Sequence, residues 1–265
     1  MEVTKQMADN KNRYAIFIDI DGTLMGKDDA AFKRNIETIQ KVRSLGHKVF
    51  ISTGRGKAYL PSKFDCDVNF DGVITGAGAV SRLDGKSVVS RLMPYSVTEK
   101  FCRFCFKYGL KGVLEGEKNM YYFGTFDGIE TSWIELTEAN FKEAVSPDEP
   151  IEKYTILGDI PKELDEILNE DCVILRFSYY GEIIQKSCGK GTALKEMAEI
   201  LDIPIERTVA IGDSMNDYDM IKAAGTGVAM GNAVDRIKEI SDFVTDDVDS
   251  SGVSSALCKI FNISM

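Results

Sequence analysis

Long apolar runs and basic residues are the features that this 265-residue sequence has least of. No apolar run approaches the roughly 20 residues that cross a bilayer, so we expect no membrane-spanning helix. The 32 Lys and Arg residues stand against 42 Asp and Glu, and the net charge of −10 argues against a surface that follows nucleic-acid phosphates. Residues 1–13 are polar and carry no apolar signal region, so we expect a solvated extension before the first strand.

Cysteine and histidine are also too sparse to support a disulfide framework or a zinc site. The six cysteines are scattered along a chain that is too large to be a disulfide scaffold, which predicts reduced thiols in a cytoplasmic protein. Cys102 and Cys105 form a C-x-x-C pair, but the pair lies in KFCRFCFKYG, where apolar residues recur at helical spacing. Because His47 is the one histidine, core packing is favoured over metal or redox chemistry.

The strongest positive signal is the segment YAIFIDIDGTL, from Tyr14 to Leu24. Its apolar part is typical of a strand covered on both faces in a parallel sheet, and it leads into Asp19, Asp21 and Gly22. Ligands of open α/β sheets bind just outside the carboxyl ends of the strands, so we expect both carboxylates at such a crevice. A hard divalent cation is the usual compensation for adjacent negative charges. Taken alone, the segment is equally typical of an exposed turn.

The order of the predicted elements indicates an α/β fold with a Rossmann-like parallel sheet. A helix over residues 30–45, ended by Gly46, follows the first strand. Strands are predicted at HKVFISTGR and FDGVIT, and a hairpin is predicted to turn at Asp84 and Gly85. Strand, helix and strand in this order favour right-handed parallel crossovers.

From residue 92 to residue 186 the pattern predicts an inserted α+β domain. Short alternating strands flank a turn at residues 117–119, a helix opens at Pro161, and a strand pair is predicted to turn near Gly181. The β-α rhythm then resumes with helix, strand and a second helix closed by Gly225. We therefore expect a discontinuous core and one inserted domain, with boundaries at 1–91 and 187–265 for the core and 92–186 for the insertion.

Four polar loops lie at or beside the carboxyl ends of the predicted core strands. They are Asp19-Ile20-Asp21, Ser52-Thr53-Gly54-Arg55, Gly189-Lys190-Gly191 and the run from Gly212 to Asp217. Together, in this order and spread, they resemble the four motifs of the haloacid dehalogenase-like phosphohydrolases. The Asn216-Asp217 pair and the insertion between the second and third motifs resemble the Cof-type sugar phosphatase branch, which carries a large α/β cap.

The residue types in these loops suit the cleavage of a phosphate ester. That reaction needs an in-line nucleophile, charge neutralisation on the phosphoryl oxygens and a proton for the leaving oxygen. Asp19 is the candidate nucleophile, which would form an aspartyl-phosphate. Asp21 is the candidate acid for the leaving oxygen and the base for the attacking water. The alternative is that both acids only bind metal, without covalent chemistry.

The predicted cofactor is Mg²⁺, which prefers octahedral oxygen coordination. Asp19 and Asp213 can supply carboxylate oxygens, and the resemblance implies the backbone carbonyl of Asp21 as a further ligand. Asp213 is alternatively a plain turn residue. Asp217 is expected to orient Lys190 or a metal-bound water, or else to be an acid favoured at a helix N-terminus.

Donors for the substrate phosphate are predicted from three of the loops. Thr53 offers a hydroxyl, and Gly54 lets its N–H approach an anion without a side chain in the way. The amide of Ile20 and the side chain of Asn216 are expected to join them, and Lys190 adds a positive charge at a helix N-terminus. Arg55 either contacts the substrate or lies on the surface beside the loop.

Two local features depart from familiar patterns. The GKGT string is not a P-loop, because Ile184 stands where that motif requires glycine and Gly191 follows the Gly-Lys pair. Cof-type proteins usually have Asn-Gly-Ala after the third strand, whereas this chain has Ala77-Gly78-Ala79. The loss of that Asn is expected to alter the substrate pocket or the hinge.

The predicted function is a Mg²⁺-dependent phosphatase of small phosphorylated metabolites, either sugar or cofactor phosphates. The alternatives are a phosphomutase with a similar cap and, from another class, a module that accepts phosphoryl groups or binds a ligand without turnover. We expect a monomer or dimer with no nucleic-acid or membrane partner. The cap should recognise the leaving group, and its candidate residues are Glu115, Tyr121, Tyr122, Arg176, Tyr179 and Tyr180.

Overall fold

The computed structural model describes residues 12–64, 69–168 and 170–264, so the predicted N-terminal extension lies almost wholly outside the described residues. The strands are, in chain order, β1 Ala15–Ile18, β2 Lys48–Ser52, β3 Gly72–Thr75, β4 Val80–Leu83, β5 Lys86–Ser90, β6 Lys111–Gly116, β7 Met120–Phe123, β8 Ile134–Glu135, β9 Ile151–Leu157, β10 Cys172–Arg176, β11 Tyr180–Gln185, β12 Thr208–Gly212, β13 Thr226–Ala229 and β14 Phe243–Val244. The α-helices are α1 Asp29–Ser44, α2 Tyr95–Tyr108, α3 Phe141–Ala144, α4 Glu163–Leu168, α5 Lys190–Ile200, α6 Tyr218–Ala223, α7 Asp235–Ile240 and α8 Gly252–Phe261. None of these helices is long and apolar enough to cross a membrane.

The first sheet has eight strands in the order β14-β13-β12-β1-β2-β3-β4-β5. The six strands from β14 to β3 are parallel, and the β4–β5 hairpin adds an antiparallel edge that turns at Asp84 and Gly85. All four residues of β1 are buried, as expected for a central strand covered on both faces. The predicted α/β class with a parallel-sheet core is confirmed.

The second sheet has six strands in the order β10-β11-β9-β6-β7-β8 and is antiparallel except for the β7–β8 pair. One face packs against α2 and α4, and the apolar cluster there lies entirely between Met93 and Ile183. A separate cluster fills the first sheet and its helices. Cys102 and Cys105 are free thiols buried in the apolar cluster of the second sheet, in agreement with the core-packing prediction. On this basis we propose the core (1–91 and 187–265) and the cap (92–186) as the two domains.

The turn predicted near Gly181 lies earlier in the chain. The chain between β10 and β11 turns at residues 177–179, and Gly181 lies inside β11 opposite Arg176. A side chain at Gly181 would overlap with Ile160, so this glycine permits close packing. The helix α6 ends at Ala223 with Ala224 as its C-cap, so it closes directly before Gly225 as predicted. A side chain at Gly225 would lie 2.5 Å from the backbone of Glu206.

The N-terminal end of α5 is pressed against the turn that follows β3. Gly78 in this turn has a φ of +97°, and a side chain there would overlap with the backbone of Gly189, the residue before Lys190. Gly46, at the end of α1, has a similar φ of +92° but has open space around its missing side chain. A side chain at Gly46 would therefore introduce backbone strain alone, whereas a side chain at Gly78 would introduce the same strain and a steric overlap as well.

We expect Gly46→Ala to lower the free energy of unfolding by about 1 kcal/mol, because it introduces strain alone. Gly78→Ala should lower it by about 1–3 kcal/mol more, because the turn or α5 must also move. Urea denaturation of both variants measures the difference. Equal losses would show that the turn and α5 do not constrain each other.

Candidate active site

The register of the parallel sheet brings the first, second and fourth polar loops to one edge. Ile18 of β1 lies opposite Ile51 of β2 and Ile211 of β12, so the residues that follow these three strands emerge side by side. The amide of Asp19 still donates to the carbonyl of Ile211 at 3.1 Å, which fixes the start of the first loop. Asp19, Thr53 and the run from Gly212 therefore meet at the carboxyl edge, where α/β folds bind ligands.

The third loop contributes a buried ammonium group to this edge. Lys190 begins α5, and its Nζ lies 2.7 Å from Asp19 Oδ1 and 2.7 Å from Asp217 Oδ1. The side chain of Lys190 is fully buried, as is that of Asp217. Buried charges are tolerated when they are paired and hydrogen-bonded, so this cluster of three holds Asp19 in a fixed orientation.

Asp217 also organises the loop that carries Asp213. Its Oδ2 accepts from the amides of Asp213, at 3.0 Å, and Ser214, at 3.2 Å, within a capping box around residues 215–217. Asp213 Oδ1 accepts from the hydroxyl of Thr23 at 2.8 Å. A side chain at Gly22 would lie 2.6 Å from Asp213 Oδ2, so only glycine lets the first loop approach this carboxylate.

Burial and mutual repulsion perturb the titration of these acids. Burial, with the charge of Asp217 as the second cause, raises the pKa of Asp19 from 3.8 to about 8 against the opposing charge of Lys190. Burial raises the pKa of Asp213 to about 6, although the hydrogen bond from Thr23 opposes it. Burial alone would lower the pKa of Lys190, but the carboxylates of Asp19 and Asp217 outweigh it and raise that pKa. One ammonium thus faces more negative charge than it can neutralise.

The carboxylates of Asp19, Asp213 and Asp217 offer ligand oxygens that all lie within 4.8 Å of one another. Carboxylate oxygens are the donors that hard divalent cations prefer. The raised pKa values of Asp19 and Asp213 agree with such a site, because buried carboxyl groups resist ionisation until a cation is near. The donor set therefore fits a hard divalent cation.

The loop after β2 places Arg55 against the predicted acid-base residue. Arg55 donates to both carboxylate oxygens of Asp21, at 2.8 and 2.7 Å, and its guanidinium lies 4.7 Å above the ring of Tyr59. The hydrogen bond to Asp21 raises the pKa of Arg55. The carboxylate of Asp21 is half exposed at the cavity, unlike the buried Asp19. The structure thus pairs Arg55 with Asp21 beside the cavity.

The predicted phosphate donors lie around the same point. Thr53 Oγ1 accepts from the amide of Arg55 at 3.1 Å, which leaves its proton available. Asn216 Oδ1 accepts from Ser214 Oγ at 2.8 Å, so its Nδ2 is directed away, and a methyl group built on Gly54 would lie 3.5 Å from that Nδ2. Thr53 and Gly54 are buried and line the cavity, and Ile20 is buried between Asp19 and Asp21.

The cap covers these residues with one face of its sheet and encloses a cavity of about 450 Å³. Alternate residues of the cap strands face it, including Glu115 of β6, Lys153 and Thr155 of β9, and Tyr180 and Glu182 of β11. Tyr59 of the core and Trp133 of the cap close another side, with their rings edge to face at 5.5 Å. The cavity therefore has the predicted site residues of the core as its floor and polar cap residues as its roof.

Two of the six cap candidates from the sequence, Glu115 and Tyr180, line this cavity. The other four do not, for a physical reason in each case. Tyr121 points into the apolar core of the cap, Tyr122 packs against Phe126, Arg176 pairs with Asp165, and Tyr179 is 85% exposed. Lys153, Thr155, Glu182 and Trp133 were missed. Polar residues at alternate positions of otherwise apolar strands are the signal that finds the first three.

Ala77, which replaces the usual Asn of the resembling family, lies away from this cavity. It has a φ of +53° and borders a second cavity of about 320 Å³, on the side of the cap near β10. Lys190, Asn216 and Glu182 also border that space, so the substitution changes a volume that adjoins the catalytic residues.

Comparison with known proteins assigns this arrangement to a class. The model of the haloacid dehalogenase-like hydrolase family matches residues 16–257. Phosphatase YwpJ of Bacillus subtilis is 30% identical in an alignment that covers 90% of this chain and 96% of YwpJ. The 5-amino-6-(5-phospho-D-ribitylamino)uracil phosphatase YitU of the same organism is 25% identical, covering 94% of this chain and 98% of YitU. The solved structure of BT4131, a sugar phosphatase of HAD subclass IIB, matches with a TM-score of 0.78 and 27% identity, covering 95% of this chain and all of that one.

An α/β core with this donor set and an inserted α+β cap defines a phosphoric monoester hydrolase. The chain belongs to the haloacid dehalogenase-like hydrolase family, and its relatives support the Cof-type branch with a large cap. The resemblance predicted from the four loops is confirmed.

The raised pKa of Asp19 predicts how the metal-free protein responds to pH. The stabilising contribution of the protonated carboxyl group is complete below pH 3.8 and is lost as the pH rises through about 8. We expect Asp19→Asn to raise the free energy of unfolding in EDTA at pH 8.5 by on the order of 1–3 kcal/mol, with a smaller gain at pH 5.5. Urea denaturation at the two pH values measures this.

Asp71 provides the matched control with the opposite sign. Burial opposes its ionisation, but hydrogen bonds from Lys48 and Val49 outweigh this and lower the pKa of Asp71. Its ionised form therefore stabilises the protein above pH 3.8, and Asp71→Asn should lose stability at pH 8.5. A loss of stability at pH 8.5 in Asp19→Asn as well would contradict the described environment of Asp19.

Proposed function

We propose that the protein is a Mg²⁺-dependent phosphatase that hydrolyses phosphomonoesters of small metabolites, such as sugar or cofactor phosphates, through an aspartyl-phosphate. The observation that carries this proposal is the Asp19–Lys190–Asp217 cluster beside Asp21 and Thr53 at the carboxyl edge of the sheet. The name of YwpJ supports a phosphatase, and the names of YitU and BT4131 support a phosphorylated metabolite as the substrate.

Asp19 is the proposed nucleophile. Lys190 Nζ binds Asp19 Oδ1, so the second oxygen of the carboxylate is the one that attacks phosphorus. A bond forms between this oxygen and phosphorus as the bond from phosphorus to the leaving oxygen breaks. The proposed donors to the phosphoryl oxygens are the N–H groups of Ile20 and Gly54, the hydroxyl of Thr53, and the side chains of Lys190 and Asn216.

Asp21 is the proposed acid and base. It gives its proton to the leaving oxygen in the first step, and its carboxylate then takes a proton from the water that attacks the aspartyl-phosphate. Phosphate leaves and the carboxylate of Asp19 is restored. Arg55 donates to both oxygens of Asp21, so we infer that the substrate phosphate competes for Arg55 and releases the carboxyl group of Asp21 for proton transfer.

The proposed metal ligands are Asp19, Asp213 and the backbone carbonyl of Asp21. Bound there, Mg²⁺ would neutralise negative charge on the phosphoryl oxygens. Asp217 belongs to the same carboxylate cluster, but its two oxygens already bind Lys190 and the amides of Asp213 and Ser214. We therefore propose that Asp217 positions Lys190 and the loop of Asp213.

We expect the protein to release phosphate from members of a panel of sugar and cofactor phosphates in Mg²⁺ but not in EDTA. Asp19→Asn should lower kcat/KM by at least about 10³-fold, because it removes the nucleophile. Asp159→Asn, which neutralises an exposed acid of the cap, serves as the control. Isomerised products without phosphate release would favour a phosphomutase, and stable phosphorylation without release would favour a binding module.

The metal proposal has a test that does not depend on turnover. Mg²⁺ should raise the melting temperature of the protein, with a stabilisation of about 2.7 kcal/mol at 100 times its dissociation constant. Asp213→Asn should abolish most of this shift, because it removes one ligand charge, whereas Asp71→Asn should keep it. An equal shift in wild type and Asp213→Asn would place the metal elsewhere.

A further inference from the structure

The roof of the catalytic cavity contains a buried cluster of charges that the proposed chemistry does not use. Lys153 Nζ lies 2.6 Å from Glu182 Oε1 and 3.3 Å from Glu115 Oε1. All three residues are at least 95% buried although they come from three different strands. Two carboxylates and one ammonium leave the cluster with an excess of negative charge.

The oxygens of the two carboxylates differ in how well they are satisfied. Glu115 Oε1 accepts from Thr155 Oγ1 at 2.9 Å, and Glu115 Oε2 accepts from the amide of Gly56 at 2.8 Å. Glu182 Oε1 accepts from Lys153. Glu182 Oε2 is buried and has no hydrogen-bond partner within the described part of the chain. An unsatisfied buried acceptor is costly, so this oxygen is expected to accept a hydrogen bond from a bound ligand.

Glu182 stands close to the place where phosphate binds in the proposed function. A methyl group built on Gly54 would lie 3.5 Å from Glu182 Oε1 and 3.9 Å from Glu182 Oε2. The same point lies 3.5 Å from Asn216 Nδ2. A ligand whose phosphate is held by Gly54 and Asn216 therefore brings its first carbons and their substituents beneath Glu182.

We propose that Glu182 Oε2 accepts a hydrogen bond from a hydroxyl group of the leaving group, and that this leaving group is an uncharged polyol or sugar. The proposal rests on the phosphatase function proposed above and adds to it the chemistry that selects the substrate. Lys153 and Glu115 act as positioning residues, because they fix the carboxylate of Glu182 and connect it to Gly56.

The charges around the cavity exclude the other kinds of leaving group. The charged cap residues that line it are three acids, Glu115, Asp127 and Glu182, against one base, Lys153. A carboxylate on the leaving group would be repelled by this excess and would leave Glu182 Oε2 without a donor. A cation would meet the ammonium of Lys153, which already lies 2.6 Å from the same carboxylate. A neutral hydroxyl supplies the missing donor without either repulsion.

The opposite wall suits the carbon skeleton of such a leaving group. The rings of Tyr59 and Trp133 are half-buried and in contact at 5.5 Å, and Phe126 lies on the same lining. A polyol bound between them and Glu182 would place its C–H groups on aromatic surface and its hydroxyls toward the charged roof.

The test compares two phosphate esters that differ in their leaving groups, ribitol 5-phosphate and phosphoglycolate. Their dissociation constants are measured by calorimetry in Mg²⁺ on the Asp19→Asn background, so that binding is observed without turnover. Adding Glu182→Gln should raise the dissociation constant of ribitol 5-phosphate by about tenfold or more, because a charge-assisted acceptor is lost. Phosphoglycolate should bind equally well or more tightly, because a repelling charge has been removed.

Two further variants separate the hydrogen bond from charge and from damage to the fold. Glu115→Gln removes the same charge from the same cluster but not the unsatisfied oxygen, so it should weaken ribitol 5-phosphate less than Glu182→Gln does. Glu166→Gln, an exposed position on α4, should leave the ratio of the two dissociation constants unchanged. Misfolding of the Glu182 variant would weaken both esters together and would be visible in its melting temperature, and Glu182→Asp, which keeps the acceptor and its charge, should then preserve the preference for ribitol 5-phosphate.

An unchanged ratio in a folded Glu182→Gln protein would overturn the proposal, as would a wild-type preference for phosphoglycolate over ribitol 5-phosphate. Absence of phosphate release from any ester by the wild-type protein would instead contradict the phosphatase function. If Glu182→Gln still weakened the binding of ribitol 5-phosphate relative to phosphoglycolate in a protein that releases no phosphate, the polyol subsite would be supported on its own.

Discussion

The contact of Lys190 with Asp19 and Asp217 is the interaction on which the rest of the site depends. It joins the end of β1, the start of α5 and the loop after β12, three segments that are far apart in the chain. Because all three side chains are buried, each charge relies on the others in place of water. Asp217 also fixes the loop of Asp213, because its carboxylate accepts hydrogen bonds from the backbone amides of Asp213 and Ser214. The site is therefore assembled by one ammonium group, and the carboxylates that this group leaves incompletely neutralised form the donor set that fits a hard divalent cation.

The cap uses the two faces of a single sheet for two purposes. Alternate residues of β9 illustrate this, since Tyr154 and Ile156 pack into the apolar core of the cap while Lys153 and Thr155 face the cavity. The period of two in a strand thus lets one segment supply both folding energy and a polar surface. A change on one face can alter substrate contacts with little effect on the core behind it.

Much of the core and its loops could be predicted because the patterns that specify them are local. The apolar run of β1, the carboxylates directly after it and the helix that starts at Lys190 are each contained in a few consecutive residues. The roof of the cavity could not be predicted in this way, because Glu115, Lys153 and Glu182 meet only through the pairing of β6, β9 and β11. Gly181 misled the prediction for a related reason, since its role is to admit Ile160, which is distant in sequence. The partner of Arg55 depends on side-chain torsions that no spacing in the sequence specifies.

The adjacent positions of Arg55 and Gly56 link events in the two domains. Arg55 holds Asp21 on the core side, while the amide of Gly56 is bound by Glu115 of the cap. These two contacts share one short piece of backbone, so any displacement of the cap that breaks the second must also disturb the first. Displacement of the cap would then misalign Asp21, the proposed proton donor, at the moment when bulk water enters. Such a mechanical interlock would protect the reactive ester from being formed in a site that is still exposed to solvent.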